Sequence, residues 1–257
     1  MLVLPHVTPG EAVAVSATLY TTYLQCPEQA LGRLRGRYPA ESRASFRGGL
    51  AHRVFARHLE EGPIAEAGIE QVCREEIGRS LNPKIAALGL KPSDLKGLIR
   101  EVGDLYERFK RLSADGFQAA EVFLEIEPAK GVILRGSIDA VFEDGDKGLR
   151  LIDWKTGAIG AAEDQLAFYA MLWAMAHGEL PGAVEAVSIA TGERFTAVPT
   201  GEQAEATARQ VAGLISAVRV ALAAGDDLDR SGGAWCRYCP LLADCDEGTA
   251  AVAVFSA

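Results

Sequence analysis

The chain has 257 residues, 26 Lys and Arg against 35 Asp and Glu, a net charge of −9 and a pI near 5.1. Apolar residues make up 49% and charged residues 24%, a globular balance that excludes disorder, and the length excludes a disulfide-stapled miniprotein. No apolar run approaches the roughly 20 residues of a membrane helix, and the start has no basic n-region of a secretory leader, so a cytoplasmic protein is expected with no membrane partner. Two averages carry weight of their own. An acidic surface repels a polyanion, and five cysteines in a cytosolic chain are for metal or for a core, not for disulfides.

Ser16 can cap a first helix with Leu19 and Tyr23 among its apolar positions. Pro27 should end or kink it, with helical character resuming to about residue 37. A second helix is expected over 41–60 and two or three more beyond it. The clearest begins at Ser93, where Leu95, Leu98, Ile99, Val102, Leu105, Tyr106, Phe109 and Leu112 form an i, i+3, i+4 stripe. Period two then takes over. Val122, Leu124 and Ile126 alternate with Glu121, Phe123, Glu125 and Glu127 in a first strand, and 131–143 and 149–155 read as a second and third, joined by turn residues 144–148. A helix over 163–177, two short strands within 184–198 and a helix over 201–224 follow, before a Gly-rich loop and a cysteine cluster. This order implies an α/β (α+β) protein with a central mixed β-sheet and a helical flank.

With the turn centred on Asp146, Asp139 and Asp153 lie seven residues to either side and face each other across the antiparallel pair. Carboxylates at that distance repel unless a cation sits between them. Period two also puts Lys155 on the face of Asp153, with Ile152 and Trp154 on the other. Two carboxylates can hold Mg²⁺ or Mn²⁺; such an ion polarises a phosphoryl oxygen and acidifies its water, and the Lys155 ammonium can orient that water or stabilise developing charge. The plain alternative is a solvated hairpin with weak surface ion pairs. His52, on the 41–60 helix, shares an inward face with Gly48, Phe55, Ala56 and Leu59, so it serves either the same metal or a core hydrogen bond. His6, His58 and His177 read as structural or exposed.

Cys236, Cys239 and Cys245 form C-x2-C-x5-C, a metal-binding pattern with Cys26 as the best fourth ligand and Cys73 on an apolar helix face. Four thiolates suit zinc or a [4Fe–4S] cluster, and spacing does not choose between them. Bound to both ends of the chain, the group would close a loop of over 200 residues.

These motifs together resemble the PD-(D/E)XK nuclease superfamily. Within it they resemble the RecB-like nucleases with an iron–sulfur cluster, which include CRISPR-associated adaptation nucleases and the nuclease domains of bacterial helicase–nucleases. The resemblance is carried, in order, by Ser16 to Tyr20 with Cys26-Pro27, Gly48 to His52, Gly136-Ser-Ile-Asp139, Leu151-Ile-Asp153-Trp-Lys155-Thr-Gly157, Gln165 with Tyr169, and the closing cysteines. It implies one nuclease domain over 1–257: a helical part at 1–115, a restriction-endonuclease-like core at 116–200 and a C-terminal helix and cluster segment at 201–257. It further implies that His52, Asp139, Asp153 and the Trp154 carbonyl hold Mg²⁺ or Mn²⁺ and that Lys155 is catalytic. Gln165 and Tyr169 would touch DNA or support Lys155, and Glu121 or Glu125 would be an extra carboxylate. The resemblance favours [4Fe–4S] over zinc on Cys26, Cys236, Cys239 and Cys245.

Seven arginines and only two acids in 31–60 flank His52, and Arg43, Arg47 and Arg53 could grip phosphates there, or simply form a solvated helix face. The resulting expectation is a metal-dependent nuclease for single-stranded DNA or DNA ends, working as an exonuclease in DNA repair or CRISPR adaptation. Two other readings stay open: a processing subunit active only beside a helicase or CRISPR integrase, and a zinc-bound structural protein.

Overall fold

The computed structural model describes residues 2–255 and, for Ser80, Asn82 and Pro83, the backbone alone. A short strand β1 (Val13–Ser16) leads directly into α1 (Ala17–Gln25), where the Ser16 hydroxyl accepts from the Leu19 N–H at 3.2 Å. Pro27 takes the first position of α2 (Pro27–Leu34), where its missing N–H costs nothing. Between the two helices Cys26 is extended. Ser42 caps α3 (Arg43–Glu61) through a 3.0 Å bond from the Ser45 N–H, starting it two residues after the expected point. Then come α4 (Ile69–Glu76), α5 (Asn82–Leu88) and α6 (Pro92–Phe109); Leu112 falls beyond α6 but still packs on its core.

The hairpin strands β2 (Phe117–Ala129) and β3 (Val132–Glu143) precede β4 (Leu149–Lys155), α7 (Glu163–His177), β5 (Ala183–Ser188), β6 (Arg194–Ala197), α8 (Gly201–Ala224) and α9 (Asp246–Phe255). Two of these, β1 and α9, were not expected from the sequence. The sheet order is β1-β3-β4-β5-β6, with β2 on β3; β1–β3 and β4–β5 are parallel and the other pairs antiparallel. The fold is therefore mixed α/β with a central mixed sheet flanked by helices. Strand β1 shows that the stretch before residue 115 is not purely helical: it supplies a strand to the sheet.

One edge of β3 is covered by β2, so β1 and β4 share the other. Strand β1 pairs with Val132 to Arg135 and β4 with Ala140 to Glu143, which leaves Gly136 to Asp139 at a fork between them. The side-chain alternation of β3 changes there. Leu134 and Ile138 enter the core beneath α1, α7 and α8, whereas Ala140 and Phe142 enter the core beneath α3, α4 and α6. In that second core Phe55 stacks on Phe109 with centroids 4.1 Å apart, and Phe109 meets Trp154 edge-on at 5.2 Å. This aromatic chain ties α3 to β4 and holds His52, one turn before Phe55, over the fork. Among the described residues no helix is long and apolar enough to cross a membrane.

Candidate active site and cysteine cluster

The β3–β4 register runs Ala140 with Ile152, Val141 with Leu151 and Phe142 with Arg150, so its continuation sets Asp139 opposite Asp153, as the turn count anticipated. Asp139 is held in place from two sides. Its Oδ2 accepts the Trp154 backbone N–H at 2.7 Å, and its Oδ1 lies 3.1 Å from His52 Nδ1. His52 thus belongs to the acidic site and not to a carbonyl in the core. Gly48, one turn earlier, lets α3 approach the loop after β4: a Cβ there would stand 3.3 Å from the Thr156 hydroxyl.

Glu121 completes a triad. Its position falls between the registered pairs Ala120–Ala140 and Val122–Ile138, opposite Asp139. It has φ of 49°, the sole positive φ outside glycine among the described residues, a conformation costing about 1–3 kcal/mol that persists only where the surroundings impose it. Donor atoms of His52, Glu121 and Asp139 all lie within 4.8 Å of one another, the one such set among the described residues. One imidazole and two carboxylates form a hard, mostly oxygen donor set suited to Mg²⁺ or Mn²⁺. Counting about Lys130, the centre of the β2–β3 turn, would have picked Glu121 over Glu125, because Glu125 pairs with Arg135.

Asp153 is buried on the β4 side of the fork and contacts Gln165 and Lys155. Gln165 on α7 donates from Nε2 to Asp153 Oδ1 at 2.6 Å and accepts at Oε1 from Lys155 Nζ at 2.6 Å. Gln165 also donates to the Tyr169 hydroxyl at 3.0 Å. Lys155 Nζ is 2.8 Å from Asp153 Oδ2, yet that buried oxygen makes no well-angled hydrogen bond. A buried carboxylate oxygen with only a poorly aligned ammonium beside it fits a site that takes a second cation. Gln165 and Tyr169 therefore sit beside Lys155 and Asp153. Gly136 makes room for them, since a Cβ there would come 3.1 Å from the Tyr169 ring and from Leu172.

The electrostatics agree with the geometry. Burial, and after it the charge of Asp139, pushes the Asp153 carboxyl up to about 6, with Lys155 and His52 pulling the other way. Desolvation opposes charge on His52, but Asp139, Asp153 and Glu121 outweigh it and raise the imidazole to about 9. Solvent reaches part of Glu121, but crowding around its carboxyl, followed by the charge of Asp139, shifts it upward too. Asp153 and Glu121 both resist ionising beside Asp139, and both would be relieved by a divalent cation.

The arginines divide. Arg43 and Arg47 are both paired to Glu101 of α6, at 2.5 and 3.4 Å, and Arg57 to Glu61 and Glu75 at 2.9 and 2.6 Å. Arg53, exposed and next to His52, has no carboxylate within ion-pairing distance among the described residues, and its charge reaches Glu121. His58 is buried and bonded to the Tyr106 hydroxyl at 2.8 Å, a structural role.

Cys26, Cys236, Cys239 and Cys245 line one cavity. Helix α2 brings Cys26 there: Glu28, buried, accepts the Leu228 N–H at 2.8 Å, and the Glu28 N–H donates to the Asp229 carbonyl at 3.1 Å. Backbone N–H groups of Gly233 and Gly248 point at the sulfurs of Cys236 and Cys245, each at 3.3 Å. Burial lifts the Cys239 thiol, and the other three cysteines add to the rise. Cys73 is buried in the second core, as expected.

The profile of the PD-(D/E)XK nuclease superfamily matches residues 14–246. The crystal structure of a candidate exonuclease from Eubacterium rectale is similar at 16% identity, over 89% of this chain and 86% of that one, with a TM-score of 0.55. The crystal structure of SSO0001 aligns at 15% identity over 94% of this chain and 88% of that one, with a TM-score of 0.41. A search of curated proteins finds no match.

Proposed function

The chain belongs to the PD-(D/E)XK nuclease superfamily, and we propose that it is a divalent-metal-dependent deoxyribonuclease acting on single-stranded DNA or DNA ends. The observation that carries this reading is the coincidence, at one fork in the sheet, of the His52–Glu121–Asp139 donor set with the Asp153–Lys155–Gln165 network.

His52, Glu121 and Asp139 would hold Mg²⁺ or Mn²⁺, joined by Asp153 and the Trp154 carbonyl. The bound ion supplies charge that polarises a phosphoryl oxygen and acidifies a water. Lys155 does the rest of the electrostatic work. Its ammonium, fixed between Asp153 and Gln165, meets the negative charge that grows on the phosphate as the bond breaks. Gln165 acts by position, holding Lys155 with its oxygen and Asp153 with its amide while Tyr169 braces it. Arg53 offers an unpaired cation for a neighbouring phosphate.

The four cysteines are read as ligands of a [4Fe–4S] cluster, in line with RecB-like and CRISPR-adaptation nucleases. All four line one cavity, and the backbone N–H groups directed at two of the sulfurs suit metal-bound thiolates. A helicase or CRISPR adaptation protein is the partner this reading suggests, with the whole chain acting as one nuclease unit. The test is digestion of end-labelled single- and double-stranded DNA with Mg²⁺, with Mn²⁺ and with chelator, alongside a visible spectrum of anaerobically purified protein. Metal-dependent digestion of the single strand by a brown protein supports the reading. A colourless zinc protein that leaves DNA intact overturns it.

A further inference from the structure

Beside the donor triad lies an aromatic ring that neither core uses. Phe123 is 60% exposed, on a strand whose other outward residues over 121–127 are Glu121, Glu125 and Glu127. At the opposite end of the same hairpin Phe117 and Phe142 are packed into the second core, whereas over 121–127 Val122, Leu124 and Ile126 pack on the first core and the alternate residues face outward. Phe123 stands on that outward face, two residues from Glu121, which is about 7 Å along a strand. Directly across from it on β3 is Ser137, small and exposed, followed by exposed Arg135. On the α3 side of Glu121 stands unpaired Arg53. A cation, a metal donor set and a wet aromatic ring thus follow one another across the surface.

That sequence of groups fits one nucleotide step of a single strand: a phosphate held near Arg53 and the ion, and its base laid on a ring. Resting on the nuclease reading above, we propose that Phe123 is the platform on which the unpaired base beside the scissile phosphate stacks, so that it selects single-stranded over duplex substrate. A paired base inside a duplex already has both faces covered by its neighbours and cannot reach the ring without leaving the stack. An unpaired base has a free face, and stacking on an aromatic side chain is indifferent to which base it is. The carboxylates of Glu125 and Glu127 keep the phosphates off this shelf and turn the bases toward it.

The probes are a single-stranded oligothymidylate and the same oligomer with a run of abasic residues, each digested by wild type, Phe123→Ala and Phe123→Trp. Wild type should discriminate against the abasic oligomer by about 5- to 150-fold in KM, the range that one stacked base supplies. Phe123→Ala should treat the two alike, and Phe123→Trp should restore the difference. All three proteins should melt together, because the ring is exposed. If wild type digests both oligomers equally well, or if Phe123→Ala discriminates as wild type does, the stacking role is wrong while the nuclease reading stands. If wild type digests no DNA, the nuclease reading falls, and the stacking role with it.

Discussion

Metal and protons compete for the same cluster, and the competition has a measurable slope. With its imidazole raised to about 9, His52 carries a proton at neutral pH, and a metal ligand must be neutral. Between about pH 6 and pH 9 each bound ion should displace one proton, so affinity should rise about tenfold per pH unit and level off above 9. Below about 6 the Asp153 carboxyl is protonated as well, and the slope should steepen. Metal-free stability follows from the same shifts. A histidine whose folded value is raised from 6.5 to about 9 adds stability that is complete below 6.5 and is lost as pH climbs through 9, about 3 kcal/mol in all. Asp153, raised from 3.8 to about 6, works in the same direction: the folded state holds its proton more tightly, so stability falls as pH rises through that window. Thermal melts from pH 4 to 9, with and without Mg²⁺, and titration calorimetry in buffers of differing ionisation heat read both effects. The metal-free melting temperature should fall across the range, and metal should recover it most at the alkaline end. His52→Ala should remove the fall between 6.5 and 9. Metal affinity that ignores pH, or a fall that survives in His52→Ala, would rule out proton–metal competition at His52.

Two further substitutions separate position from charge. Gln165→Glu keeps the acceptor for Lys155 but sets a carboxylate against Asp153 Oδ1, where an amide now donates at 2.6 Å. The Asp153 carboxyl should rise further, and the acid limb of the pH–rate profile should move to higher pH, whereas Gln165→Ala should lower the rate with less displacement of that limb. Gly136→Ala drives a Cβ against Tyr169 and Leu172 at 3.1 Å; a loss of about 1–3 kcal/mol in urea denaturation is expected, with a rate defect as the Tyr169 brace moves.

Part of the site could be read from sequence because the β3–β4 turn is short and the pairing beside it is in simple register. The turn at 144–148 fixes the register, and the register opposes Asp139 to Asp153. The helix from 163 to 177 has no ambiguity of phase, so Gln165 and Tyr169 fall on one face. What the sequence hid was three-dimensional. Strand β1 is four residues long, too short for its Val13–Val15 alternation to stand out, and it is a strand only because β3 offers an edge. The change of face at Asp139 breaks period two and arises from the fork, which no local pattern announces. Arg43 and Arg47 looked free because Glu101 lies over 50 residues away and meets them only when α6 packs on α3. Glu121 and Glu125 share the alternation of β2, and only the centre of the β2–β3 turn at Lys130 separates them by setting Glu121 opposite Asp139.

In the proposed nuclease, the Lys155 ammonium beside Asp153 at the fork works on a phosphodiester. Single-stranded DNA labelled at one end, incubated with Mg²⁺ and either wild type or Lys155→Ala, tests it most directly, with metal binding measured in parallel. Wild type should digest the strand, and Lys155→Ala should bind metal as well but digest about 10²–10³-fold more slowly. Equal digestion by the two proteins would contradict the claim.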